Sequence, residues 1–363
     1  MRGTSSRGRH LAALLLRSLA RGAMIHVRVA GTAVAVRDWA RIAGKRGSRA
    51  TVPARRIECV DACRGVAVVG MLAANLVNVY LRHVPSVLAH NQGPSLRLFD
   101  LPAPLFQFLI GVSLTLFLRH RIAAGRTPAA ARLDAARRFL LLISLGVLLD
   151  GIGGLSPAPR WGVLQTLGLG GLLATLLDAV SPAVCAVVAL GLLGLFSGPA
   201  NGIVHEHPVA ALAFVPLTLA GVLVGRTLGP DGDARTLLPS ARAMGTAALI
   251  AAAALFAAGV PFDKTLGTSS FVVLATAVSA GLLYVTAALE VRGQTPAWIV
   301  AIGRNALTAW VTLYVVVYYP AWLVFPSWHR LGLGPGLVAV LATTALLSEG
   351  AVALGRRGVR IPL

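Results

Sequence analysis

Charge is what this sequence has least of. Asp, Glu, Lys and Arg make up 13% of its 363 residues, about half of the roughly 25% that a water-soluble domain carries. A surface so poor in charge must face something other than water, which excludes an ordinary soluble domain. Cysteine is scarce too: three in all, with no Cys-x-x-Cys pair and no Cys/His spacing suited to zinc. Cys59 and Cys63 share a helix face, and they and Cys185 read as small buried hydrophobes. Aromatic residues are only 6% and do not interleave with the basic ones, so the formal charge of +20 does not indicate a nucleic-acid binder.

What is abundant is apolar length. Hydrophobic residues make up 56% of the chain, in runs long enough for membrane-crossing helices of about 17–25 residues. The runs do not alternate polar and apolar residues, which argues against a β-barrel. The predicted fold is all-α, a polytopic transmembrane bundle of about ten spans. They fall near 60–81, 100–118, 138–154, 162–178, 181–198, 209–226, 244–260, 269–289, 296–319 and 334–354.

Basic residues orient these spans. Thirteen of the 33 Lys and Arg precede residue 57, and others fall in alternate loops: Arg119, Arg121, Arg126, Arg132 and Arg137 in one, Arg226, Arg235 and Arg242 in another. With Arg356, Arg357 and Arg360 at the end, the pattern predicts both termini on the cytoplasmic side of a bacterial-type plasma membrane. Two parts are expected: a basic arm over 1–55, disordered or lying on the membrane surface, and a membrane domain over 56–363. In the arm, Arg17 and Arg21 cut short the apolar run of Leu11, Leu14, Leu15 and Leu16, leaving it too short to span.

Polar groups are costly in hydrocarbon, so their positions carry the functional information. Four places stand out. The first span opens with Arg56, Asp61, Arg64 and Gly65 and continues to Met71 and Asn75. Asp61 and Arg64, three apart, are neighbours on one helix face and form at least an orienting ion pair. The first outer loop holds His90, Asn91 and Gln92 and runs into Asp100, before Pro102 and Pro104, which are expected to prevent a regular helix start. An imidazole near a carboxylate is a competent general base or acyl carrier. His83, His205, His207 and His329 are assigned to outer segments too, so composition alone does not single out His90.

The third place is Asp263, Lys264, Thr265, Thr268, Ser269 and Ser270, entering the eighth span. Its hydroxyls suit a helix N-terminus, with Asp263 and Lys264 expected to pair in water. The fourth is Gly303, Arg304, Asn305 and Ala306, about two turns inside the ninth span. A buried arginine there needs either an acid partner or an anionic ligand such as phosphate. His205, Glu206 and His207 resemble a metal pair, but residues two apart on a helix face different ways and a third ligand is missing nearby. No metal is expected.

These segments, in this order, resemble the heparan-alpha-glucosaminide N-acetyltransferase family of membrane acyltransferases. The resemblance rests on Arg56, Asp61, Arg64, Gly65, Met71 and Asn75, and on His90 ten residues before Asp100, Leu101, Pro104, Phe106, Phe108 and Gly111. It continues through Gly162 to Gln165, Lys264 to Phe271 and Gly303 to Ala306, covering about residues 55–320. Gly267 stands where the family usually carries Trp, and Ala89, Asn91 and Gln92 replace the usual aromatics beside the histidine. The resemblance implies transfer of an acetyl group from cytoplasmic acetyl-CoA to an acceptor, usually an amino sugar, on the far side. It implies that His90 is the active-site histidine and that Asp100 orients it or holds the acceptor.

On that reading Arg64, Arg304 and Asn305 would hold acetyl-CoA from the inner face, with Asp61 orienting the arginines. Asn75, Lys264, Thr268 and Ser269 would meet the acceptor or the developing oxyanion. The expected partners are the bilayer and a sugar or glycan, with no nucleic acid and a homodimer left open. The alternatives are a transporter or flippase, or a non-catalytic membrane protein of the same fold.

Overall fold

The structure, a computed structural model, describes residues 26–29, 32–35, 57–89, 93–154, 161–197, 207–229, 231–321, 331–359 and 361. In the N-terminal arm, strands β1 (His26–Val29) and β2 (Thr32–Ala35) pair antiparallel, with His26 opposite Ala35. The leucine run of the arm lies outside the described residues. Among the described residues from 57 onward the regular structure is helical, apart from an isolated bridge between Leu81 and Leu331.

The helices are α1 (Glu58–Tyr80), α2 (Pro102–Ala123), α3 (Pro128–Gly154), α4 (Val163–Leu176), α5 (Pro182–Ser197), α6 (Val215–Gly225), α7 (Leu237–Ala257), α8 (Ser269–Val291), α9 (Ala297–Gly303), α10 (Ala306–Thr312) and α11 (Leu333–Arg356). Every predicted span is met by helix, but they do not all qualify as crossings. Among the described residues six helical stretches are long and apolar enough to cross a membrane, or seven if α9 and the stretch Ala306–Tyr318, bent by 67°, count as one. The shortfall from about ten has physical causes. α4 and α5, with 14 and 16 residues, extend roughly 21 and 24 Å against a hydrocarbon core of about 30 Å. The first half of α3 carries Arg132, Asp134, Arg137 and Arg138.

Pro102 and Pro104 do not prevent a regular start to α2. A short 3-10 turn, Leu98–Asp100, leads in, and Pro102 occupies the first helical turn, where its missing N–H costs nothing. α1 is the central post of the main core, with Cys59, Cys63, Leu72 and Leu76 fully buried. It is crossed by α9 with backbone almost touching backbone. A Cβ on Gly65 would strike the Ile299 carbonyl, and one on Gly303 the Asp61 carbonyl. α2 and α6 cross likewise, Gly111 lying against Thr218 and Gly221 against Phe108. Small residues permit this approach where packing, not hydrophobicity, must hold helices together. α7 stands at the periphery, with only 17% of its apolar window buried.

Candidate functional site

At one end of the bundle an acid is bracketed by two arginines. Asp61, in the first turn of α1, is 4% exposed. Arg64 Nη1 donates to its Oδ1 at 3.0 Å, and Arg304 Nε donates to its Oδ2 at 3.2 Å. Arg304 also lies 3.8 Å from Glu58, and Arg64 Nη2 donates to Ser113 Oγ of α2 at 2.6 Å. Of the two explanations the sequence allowed for Arg304, the structure supplies the acid partner. Arg304 and Asn305 sit at the break between α9 and α10, not within one continuous helix. Asn305 Nδ2 donates back to Ala301 O at 2.8 Å, and its side chain packs against Gly355 of α11. The start of α1 and the end of α11 therefore meet at the same end of the bundle.

A cavity of about 160 Å³ begins beside this cluster, with Arg64, Met71, Phe106, Phe117, Arg138 and Trp310 in its wall. Of the three residues assigned to the donor from sequence, Arg64 lines it; Arg304 and Asn305 do not. The second cation of the wall is Arg138, which sequence reasoning missed. Its guanidinium lies 4.1 Å over the Phe117 ring, and Arg121 approaches the same ring at 5.3 Å. The remaining wall is chiefly apolar, so the cavity joins a cationic end to a greasy interior. Asn75 lies one turn beyond Met71 on α1 and donates to the Met71 carbonyl at 2.9 Å.

A second polar group lies at the start of α2 and α8. Asp100 is fully buried; its Oδ2 accepts from Arg97 N at 3.1 Å, and Lys264 Nζ lies 3.4 Å from its Oδ1. Burial pushes the Lys264 ammonium below its ordinary value, against the upward pull of Asp100. The expected Asp263–Lys264 pair in water is thus corrected. Asp263 Oδ1 instead accepts from Thr265 N at 2.8 Å and Leu266 N at 3.1 Å, closing the loop locally. Thr268 does not cap α8 with its side chain: its hydroxyl donates to Pro261 O at 2.8 Å and accepts from Asp263 N at 3.0 Å. Ser269 Oγ is buried with no hydrogen-bond partner among the described residues. Gly267 adopts φ +63°, where a side chain would be strained and a Cβ would lie 2.7 Å from Ala213 Cβ.

His90 lies outside the described residues, as do His205 and Glu206. His207 accepts from Val209 N through Nδ1 at 3.2 Å. Among the described residues no three His, Cys, Asp or Glu side chains converge as metal ligands.

Residues 56–260, more than half of the chain, match the heparan-alpha-glucosaminide N-acetyltransferase catalytic family. The chain belongs to that family. A comparison with curated proteins finds no match. Membership makes this a membrane acetyltransferase-family protein, and it covers the elements that carry Asp61, Arg64, Asp100 and Arg138. Lys264, Ser269 and Arg304 fall beyond the matched stretch, yet Lys264 and Arg304 are tied to it through Asp100 and Asp61.

Proposed function

We propose that this chain is an acetyl-CoA-dependent acetyltransferase that passes an acetyl group through the membrane to an extracytoplasmic sugar or glycan. The observation that carries the proposal is the cavity with Arg64 and Arg138 at one end and apolar walls beyond. Arginine suits phosphate through its planar fork of donors, and an apolar interior suits a pantetheine arm. Family membership adds the reaction class. In this reading the basic end faces the cytoplasm, with both termini on that side, and the helical segments form a ten-span bundle in which bent and shorter helices complete the set.

The nucleotide phosphates sit at Arg64 and Arg138, and the arm lies along Met71 and Phe106 towards Trp310. Arg304 acts on the donor only through Asp61, which fixes the direction of the Arg64 guanidinium. At the far end His90 is the general base or the transient acetyl carrier. The buried Asp100 and Lys264 hold the charge of that region, and Ser269 and the first turn of α8 offer donors to a developing oxyanion. Thr268 contributes by fixing the loop that carries Lys264.

The test is label transfer from radiolabelled acetyl-CoA by the detergent-purified chain to a panel of amino sugars and glycan lipids. Transfer by the wild type that is lost in His90→Ala supports the mechanism. Full activity in His90→Ala excludes the role of His90, and absence of acetyl-CoA binding by the wild type excludes the reading itself. The bend at Arg304 favours a second reading, a transporter with a broken helix; solute or lipid flux on reconstitution, without acetylation, would establish it.

A further inference from the structure

α10 is only seven residues long; it begins at the 67° bend and passes into the π-helical turn Leu313–Tyr318. Its residues Ala306, Leu307 and Trp310 stand in the cavity wall. At about 100° per residue, these three fall on the side of the helix opposite Thr308. Thr308 is nonetheless 4% exposed, so its own face of α10 is covered too. A helix that starts at a bend is not held in line by the one before it. Contacts on its two faces must fix where it lies.

One contact on the Thr308 face comes from the segment after α11. That helix ends in a paired closure, with Gly358 N donating to Gly355 O at 3.2 Å and Val359 N to Leu354 O at 2.9 Å. The closure needs a left-handed residue, which Gly358 supplies at φ +82°. Past this turn, Ile361 N donates to the Thr308 hydroxyl at 3.2 Å, and Ile361 packs on the main core. Gly355, in the last turn of α11, already lies against Asn305 at the bend. The end of α11 and the chain beyond it thus touch both the bend and the back of α10.

We propose that Thr308 is a positioning residue for the donor cavity, and that the segment after Gly358 is a strap holding α10 in place through Ile361 and the Thr308 hydroxyl. A buried hydroxyl or N–H without a partner is costly, so docking of the strap and the lie of α10 favour each other. Leu307 and Trp310 then present a fixed apolar face to the arm of the donor. Arg64 and Arg138 are on α1 and α3 and do not depend on the strap. The proposal rests on the transferase reading for what the cavity binds; the strap itself does not.

The experiment compares the full chain in detergent with three variants. Thr308→Val keeps the shape and loses the acceptor, Thr308→Ser keeps the acceptor, and a shortened chain ends at Gly358. Hydrogen–deuterium exchange over residues 305–313 is expected to quicken in Thr308→Val and in the shortened chain, with α2 unchanged and Thr308→Ser like the wild type. Acetyl-CoA and S-acetylpantetheine, titrated by calorimetry, should both bind about three- to tenfold more weakly, the worth of one hydrogen bond. Adenosine 3′,5′-bisphosphate, which has no arm, should bind as before. The shortened chain serves if Thr308→Val does not fold. Unchanged exchange over 305–313, or exchange that rises equally in α2, overturns the strap. Faster exchange there with donor binding unchanged overturns the positioning role. A wild type that binds no acetyl-CoA overturns the transferase reading instead, and the exchange still decides the strap.

Discussion

Arg304, at the bend between α9 and α10, reaches Asp61 in the first turn of α1 and donates Nε–H to its Oδ2 at 3.2 Å. Arg64 holds the other oxygen, so one carboxylate ties a broken helix to the central post. Removing it leaves two guanidiniums facing each other with their common acid gone. Asp61→Ala is expected to lower stability by about 3 kcal/mol, and thermal unfolding in detergent checks this. Arg304→Ala should cost less, because Asp61 keeps Arg64. Equal melting temperatures for Asp61→Ala and the wild type would refute the tie.

The Asp100–Lys264 pair predicts a pH limit. Burial lowers the Lys264 pKa, so its proton leaves below the ordinary 10.5 as pH rises. A function that needs the ammonium should therefore decline on the alkaline side before an ordinary lysine would titrate. Lys264→Arg is expected to shift this limb to higher pH, since arginine stays charged. The acetyl-transfer rate as a function of pH tests it; an unmoved limb assigns the decline to another group.

Packing at the α1–α9 crossing is open to a simple contrast. A Cβ at Gly303 meets the Asp61 carbonyl, while one at Gly350 of α11 meets nothing within 4 Å. Gly303→Ala is expected to destabilise by about 1–3 kcal/mol through overpacking, and Gly350→Ala should not destabilise. Melting temperatures of the two variants compared side by side settle the point.

Arg138 offers a test of where the donor nucleotide sits. Arg138→Ala should weaken acetyl-CoA binding about tenfold, or about 1.4 kcal/mol, yet leave binding of S-acetylpantetheine, which lacks the nucleotide, unchanged. Equal losses for both ligands would place the guanidinium on the arm rather than on the phosphates.

The helices themselves were legible, because apolar run length and the missing alternation dictate them. So were the polar positions at Asp61, Arg64, Asp100 and Lys264. Their partners were less so. Lys264 has a carboxylate next to it in sequence, yet the loop turns Asp263 back on its own N–H groups and sends Lys264 to Asp100, 164 residues away. The bend at Arg304 was hidden because Gly303, Arg304 and Asn305 sit inside one continuous apolar run. Arg138, at the first position of a predicted span, was not singled out; its place in the cavity wall depends on stacking over Phe117 of another helix.

The glycine crossings of α2 with α6 and α1 with α9 also bear on how anything passes through the protein. Helices whose backbones touch resist sliding or rocking past one another, since any side chain brought into the contact would collide. Four of the central elements thus behave as a fixed frame, and adaptation is left to peripheral helices such as α7. Under the transfer reading the protein has no need to alternate between inward and outward shapes: the cargo is small enough to be handed along a stationary wall.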